Sequence, residues 1–213
     1  LSGQVSVVHN GIIENHAALR AELQADGFVF SSQTDTEVIA HLLERAQQRG
    51  LSLLAAVQET APRLHGAYAI VAVSAREPGV LVGARLGSPL VVGLGEGEQY
   101  FGSDVHALLP LTRRFMYLLE GDVARLDIAG VQVFDAHGKS ATREVKHSQF
   151  NTDAVQRGDY AHYMLKEIHE QSQAVADTLE GRIAGGKILT QIFGVDAEQL
   201  LADTQAVHII ACG

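Results

Sequence analysis

The sequence predicts an α/β fold in which helices come first and a series of short strands follows. Apolar residues repeat at helical spacing in two early segments, at Leu19 and Leu23 and then at Val38, Ile39, Leu42 and Leu43. From Ala67 onward, short apolar runs are separated by turns that contain glycine, a pattern typical of strands. Helical spacing returns after residue 160. We therefore expect packed layers of helix and sheet, followed by a second unit.

The early elements follow from local signals along the chain. A strand is predicted at Val5 to Val8, and the helix after it ends near Asp26, because Gly27 is well placed to terminate it. Phe28 to Phe30 is expected to return as a short strand. Thr34 and Glu37 form a capping-box pattern at the start of the next helix.

A third helix and the main strands come next. The helix is predicted from Leu53 to Leu64. The strands are predicted at Ala67 to Ser74, Val80 to Ala84, Leu90 to Leu94, Gln99 to Gly102, Phe115 to Leu118, Asp122 to Leu126 and Gln132 to Phe134. Gly93 to Gly97 is read as a hairpin turn, because its spacing fits neither the dinucleotide fingerprint nor the Walker pattern.

Polar residues gather from Gln149 to Asp159 and predict a boundary. The expected organisation is a first domain over residues 1–150, a linker over 151–160 and a second domain over 161–213. Helices are predicted from about Ala161 to Leu179 and from Ala197 to Asp203, and a strand from Val207 to Ile210. Because the chain lacks an initiator methionine and stops just after that strand, we expect it to be incomplete at both ends.

Composition excludes several classes of function. A net charge of −9 with 16 Lys and Arg argues against a nucleic-acid groove or an anionic membrane surface. No stretch approaches the roughly 20 apolar residues of a membrane span, and one cysteine cannot form an intrachain disulfide. Without Cys-x-x-Cys or His-x-x-x-His pairs, neither a metal nor another cofactor is expected. A cytoplasmic protein with small-molecule partners is the resulting expectation.

The pair Asn10-Gly11 follows the first predicted strand and has two interpretations. An Asn-Gly turn is the common use of this dipeptide, because both residues tolerate positive φ. Alternatively, the Asn10 amide and the Gly11 N–H are two adjacent donors that can stabilise a developing oxyanion.

Asp35 lies at the start of the next predicted helix. A carboxylate in the first turn of a helix is stabilised by the helix dipole whether or not it binds a ligand. The residues alone therefore favour a structural role for Asp35.

Two sequence blocks together carry a resemblance to one family. His9-Asn10-Gly11-Ile12-Ile13-Glu14-Asn15 and Thr34-Asp35-Thr36-Glu37-Val38 resemble the glutaminase domain of the isomerising glutamine–fructose-6-phosphate aminotransferases, also called glucosamine-6-phosphate synthases. The resemblance continues through Arg85-Leu86-Gly87-Ser88-Pro89-Leu90, Gly102-Ser103-Asp104, Leu119-Glu120-Gly121-Asp122 and His162-Tyr163-Met164-Leu165-Lys166-Glu167-Ile168. It therefore covers most of the chain.

The resemblance implies a fold and a reaction. The fold is an αββα sandwich of the N-terminal-nucleophile type, here incomplete, followed by the first elements of a parallel α/β sugar-isomerase domain. L-glutamine and fructose 6-phosphate are the implied substrates, and a homodimer is the implied assembly of the complete enzyme. Asn10 and Gly11 are implied as oxyanion donors, and Asp35 as the anchor of the glutamine α-amino group.

The resemblance also bears on the nucleophile. In the family this is a cysteine at the mature N-terminus, which belongs before Leu1, whereas the only cysteine of this chain is Cys212. We therefore expect no glutaminase or synthase activity from the 213 residues alone.

Two other functions stay open on the sequence. The first is another amidotransferase with an N-terminal cysteine, such as the phosphoribosyl enzyme, which the block from His162 to Gln171 opposes. The second is a non-catalytic module that binds glutamine and has lost the nucleophile.

Overall fold

A computed structural model describes residues 3–148, 158–179, 183–184, 186–189 and 197–208. Its contacts divide the chain into two compact units, Leu1–Val155 and Gln156–Gly213. The assignment of these units to a glutaminase domain and a sugar-isomerase domain stays a prediction.

Three α-helices follow the first strand of the first unit: α1 at His16–Ala25, α2 at Thr36–Gln48 and α3 at Leu53–Thr60. All three were predicted, and a short 3-10 turn at Ala61–Arg63 extends the third. The strand predicted at Phe28 to Phe30 is wrong, because these residues have no regular structure. Both phenylalanine rings instead lie edge-on to the His41 ring, at centroid distances of 5.2 and 4.6 Å.

The strands of the first unit form two antiparallel sheets. The six-stranded sheet has the order β1-β2-β3-β7-β8-β9 and the four-stranded sheet the order β10-β6-β4-β5. In chain order the strands are β1 Val5–Gly11, β2 Tyr68–Ser74, β3 Leu81–Leu86, β4 Val91–Leu94, β5 Gln99–Gly102, β6 Arg114–Tyr117, β7 Val123–Asp127, β8 Gly130–Phe134, β9 Ser140–Ala141 and β10 Val145–His147. The turn between β4 and β5 confirms the predicted hairpin.

Three apolar clusters hold these layers together. The largest lies between the helices and one face of the six-stranded sheet, with Leu23, Leu43 and Ile70 fully buried. A second lies between the two sheets and includes Val92 and Leu126. The third packs the segment around residues 105–109 on the other side of the four-stranded sheet. The expected layered α/β fold is confirmed, with a helix layer, two stacked sheets and a loop segment outside them.

The second unit contains α4 at Tyr163–Leu179, a small hairpin of β11 at Ile183–Ala184 with β12 at Lys187–Ile188, and α5 at Ala197–Asp203. Both predicted helices are present. The predicted strand Val207 to Ile210 is absent at 207–208, and its last two residues lie outside the described part of the chain. No helix in the described ranges is long and apolar enough to cross a membrane.

Candidate active site

Strand β1 carries the first candidate residues at its carboxyl end. The predicted strand stopped at Val8, whereas pairing with β2 continues through Asn10, opposite Ala69, and Gly11, opposite Tyr68. Asn10 is therefore part of the ladder and not the corner of a two-residue turn. Its exposed side chain lines a cavity of about 250 Å³, which Gly102 and Ser103 border from the other sheet.

Gly11 has a backbone that only glycine adopts readily at this place. Its φ is +123°, and a Cβ built on it would lie 2.1 Å from the carbonyl oxygen of Ala67. The next residue, Ile12, donates its N–H to that same oxygen at 2.9 Å. The close approach of the Gly11 backbone to Ala67, just before β2, thus fixes where the chain leaves β1.

Asp35 is joined directly to this exit. Its Oδ2 accepts the N–H of Ile13 at 2.8 Å, two residues beyond Gly11. The side chain is 23% exposed, and within the described residues Oδ1 accepts no hydrogen bond. One carboxylate oxygen therefore fastens the chain after β1, while the other is available to a cation. The structure thus links the two segments that the sequence singled out.

His9 supports the same junction from inside the protein. Its side chain is 2% exposed, its Nδ1 lies 3.0 Å from Thr36 Oγ1 and the same nitrogen lies 3.9 Å from Asp35 Oδ1. Burial lowers the pKa of the His9 imidazole, against an opposing effect of the Asp35 carboxylate. A lowered pKa favours the neutral ring, so His9 does not act as a cationic partner of Asp35.

The start of α2 differs from the predicted capping box. The helix begins at Thr36, and the Glu37 carboxylate does not accept the backbone N–H of Thr34, as a capping box would require. Its carboxylate instead accepts the backbone N–H groups of Ser31 and Ser32, both at 2.7 Å, and their hydroxyls at 2.9 and 2.6 Å. Burial alone would raise the pKa of Glu37, but these four hydrogen bonds outweigh it and lower the pKa to about 2.

Glu37 should make stability depend on pH in the acid range. Because its folded pKa is lowered, its contribution is complete above the unfolded pKa of about 4.5 and is lost as the pH falls through about 2. Glu37→Gln is expected to cost about 2 kcal/mol at neutral pH, the usual scale for hydrogen bonds to a charged group. Urea unfolding between pH 2 and pH 7 measures this difference.

The variant and the wild type should converge in stability towards pH 2. Glu144→Gln, at an exposed carboxylate of the same unit, is the matched control. A difference between Glu37→Gln and wild type that stays constant over the whole range would contradict the assignment.

Sequence reasoning missed the supporting residues of this site. His9 was named only as the first residue of a block that carries the resemblance and was given no role, and the N–H of Ile13 carries no sequence signal at all. Period-two alternation along β1 could have placed His9 on the face opposite Asn10. Among the described residues, no group of three His, Cys, Asp or Glu side chains could hold a metal ion.

Comparison with solved structures defines the class of fold. Glutamine phosphoribosylpyrophosphate amidotransferase from B. subtilis matches 64% of this chain and 30% of its own, with a TM-score of 0.54 and 24% identity. The allosteric regulatory enzyme of purine biosynthesis matches 63% of this chain and 29% of its own, with a TM-score of 0.53 and 23% identity. The fold is therefore that of the N-terminal-nucleophile glutamine amidotransferases.

Sequence comparison then places the chain within a family. Residues 1–110 match the model of the glutamine amidotransferase domain, so the chain belongs to the glutamine amidotransferase family. Curated relatives named glutamine–fructose-6-phosphate aminotransferase (isomerizing) align over the full chain, with 51% identity in Vibrio vulnificus strain CMCP6 and 52% in Vibrio cholerae strain El Tor Inaba N16961. The chain spans about a third of these relatives, 35% in each case.

Proposed function

We propose that this chain forms part of the glutamine-hydrolysing site of an isomerising glutamine–fructose-6-phosphate aminotransferase. The observation that carries the proposal is the 2.8 Å hydrogen bond from the Ile13 N–H to Asp35 Oδ2. It ties a carboxylate suited to an ammonium group to the strand end that holds Asn10 and Gly11. The relatives with 51% and 52% identity bear the name of this enzyme.

Each of the three residues has a role in amide hydrolysis. A thiolate adds to the side-chain amide carbon of glutamine, and the carbonyl electron pair moves to oxygen. The Asn10 amide and the Gly11 N–H donate hydrogen bonds to that oxyanion, and Asp35 pairs with the α-ammonium group. Collapse of the oxyanion expels ammonia after proton transfer and leaves a thioester, which water hydrolyses to glutamate.

The nucleophile in this proposal comes from outside the 213 residues. The only cysteine of the chain is Cys212, which belongs to the second unit, whereas the family uses a cysteine at the mature N-terminus. That cysteine, with its free α-amino group as base, would enter the cavity beside Asn10.

The ammonia acceptor is proposed to be fructose 6-phosphate. In this proposal the second unit begins the domain that aminates and isomerises the sugar to glucosamine 6-phosphate, in a cytoplasmic homodimer. The phosphoribosyl enzyme is the second candidate, since its structure shares the fold. The phosphoribosyl enzyme is 24% identical to this chain, whereas the aminotransferase is 51% identical, and this difference favours fructose 6-phosphate as the acceptor.

The test is to purify the protein as its native gene encodes it and to supply glutamine with and without fructose 6-phosphate. We expect glutamate release and, when the sugar phosphate is present, glucosamine 6-phosphate. The 213-residue chain alone is expected to release no glutamate above the blank, because it carries no N-terminal cysteine.

Each alternative gives a different result. Glutamine binding by calorimetry without any hydrolysis would identify a non-catalytic module. Hydrolysis without amino-sugar formation would point to another acceptor. Glutamate release by the 213-residue chain would contradict the proposed origin of the nucleophile.

A further inference from the structure

The loop that presents Asp35 is held from two sides. This segment, Ser31–Thr34, is called here the serine loop, and Asp35 follows it directly. On its inner side the Glu37 carboxylate accepts four hydrogen bonds from the first two serines of the loop. Within the loop, Ser32 Oγ lies 2.8 Å from Thr34 Oγ1 and accepts the Thr34 N–H at 3.2 Å.

The outer side of the serine loop is held by Arg20 of helix α1. One guanidinium nitrogen, Nη1, donates to the carbonyl oxygen of Ser32 at 2.9 Å, and Nη2 donates to that of Thr34 at 3.0 Å. The same guanidinium lies over the Phe30 ring, 4.3 Å from its centroid. Phe30 in turn packs against His41 in the buried face of α2.

We propose that Arg20 is a positioning residue for glutamine, which sets the place of Asp35 by holding the serine loop. The proposal rests on the proposed function, because it takes Asp35 to be the anchor of the substrate ammonium. Arg20 acts only through the loop, since its described contacts are loop carbonyls and the Phe30 ring.

The geometry explains why an arginine suits this place. The two carbonyls lie on either side of Gln33, and a planar guanidinium offers two separate donors that reach both at once. With both bonds formed, Thr34 cannot move without stretching one of them. Glu37 restrains Ser31 and Ser32, whereas Arg20 is the side chain that reaches the carbonyl next to Asp35.

Arg20 also connects the two halves of the site. Helix α1 begins five residues after Gly11, at the end of β1. The Arg20 side chain therefore joins the segment that follows β1 to the loop that precedes Asp35. Loss of the guanidinium should let Asp35 Oδ1 move relative to β1 while leaving Asn10 and Gly11 in place. The affinity for glutamine should therefore fall, whereas turnover at saturating glutamine should stay close to that of wild type.

The experiment compares Arg20→Ala and Arg20→Lys with wild type in the full-length protein, with glutamate release as the assay. For Arg20→Ala we expect the KM for glutamine to rise about tenfold and kcat to stay within about twofold, because a loss of binding that the ground state and the transition state share raises KM and leaves kcat. A tenfold rise corresponds to the net value of roughly one hydrogen bond. The KM for glutamine of Arg20→Lys should lie between those of wild type and Arg20→Ala, because a single ammonium group cannot reach both carbonyls.

Arg45→Ala is the matched control. Arg45 is 20% exposed and joins α2 to Glu22 and Asp26 of the α1 region without touching the serine loop. Its removal should leave the KM for glutamine unchanged. An unchanged KM in Arg20→Ala, or an equal rise in Arg45→Ala, would overturn the proposal.

Hydrogen exchange without substrate separates this proposal from the proposed function. Arg20→Ala should speed exchange of the Thr34 amide relative to both wild type and Arg45→Ala. Equal exchange in all three proteins would overturn the role of Arg20 in holding the loop. A wild-type protein that hydrolyses no glutamine would instead overturn the proposed function, whatever the exchange shows.

Discussion

Asn10→Ala in the full-length protein is expected to lower the turnover of glutamine hydrolysis by roughly 10²- to 10³-fold, the usual cost of one oxyanion-hole donor. The side chain is exposed at the end of β1 and lines a cavity, so its removal leaves no buried cavity and no unpaired buried group. The loss should fall on kcat and not on the KM for glutamine, because the oxyanion forms only as the amide is attacked.

The control for this prediction is Ser6→Ala, which removes another exposed polar side chain from the same face of β1. It should leave turnover within about twofold of wild type, as expected for a substitution away from the reacting groups. Steady-state glutamate release at saturating glutamine gives both values. If Asn10→Ala retained wild-type turnover, Asn10 would have no place in the oxyanion site.

Gly11→Ala is expected to destabilise the first unit by about 4 kcal/mol. Two costs combine: a backbone held at a φ of +123° and a Cβ placed 2.1 Å from the carbonyl oxygen of Ala67. Backbone strain of this kind costs on the order of 1–3 kcal/mol, and overpacking typically adds about 1–3 kcal/mol. The urea midpoint of unfolding measures the sum.

Gly130 separates the two costs. Its φ is +143°, but nothing lies within 4 Å of an added Cβ. Gly130→Ala should therefore lose only the backbone contribution, on the order of 1–3 kcal/mol. If both variants lost the same stability, the contact with Ala67 would carry no cost of its own.

The sequence predicted the elements well where local pattern decides them. Helix α5 and strand β5 have their predicted bounds, because apolar periodicity and glycine turns act over a few residues. The strand at Phe28 to Phe30 failed for a tertiary reason. Its aromatic rings contact His41 and Arg20, and none of the described strands pairs with this backbone.

The site was predicted in part. Motif resemblance singled out Asn10, Gly11 and Asp35, and their roles stay predictions. The bond from Ile13 to Asp35 and the two donors of Arg20 were not predictable, because they join residues 22, 12 and 14 positions apart through folded geometry. Glu37 shows the limit of local rules, since the predicted capping box located the helix start only approximately and gave the wrong partners for the carboxylate.

The pairing of Gly11 with Tyr68 has a consequence for synthesis on the ribosome. Asn10, Gly11 and Asp35 are all translated well before Ala67, whose carbonyl receives the N–H of Ile12 and defines the space beside Gly11. Strand β1 cannot pair until β2 has been synthesised, and the three helices between them lie in a loop of about 55 residues. The entropic cost of closing this loop must be met before the strands make contact. Strand β1 can therefore reach its final geometry only after β2 has left the exit tunnel, so a shorter nascent chain does not yet hold Asn10 and Gly11 in their final places.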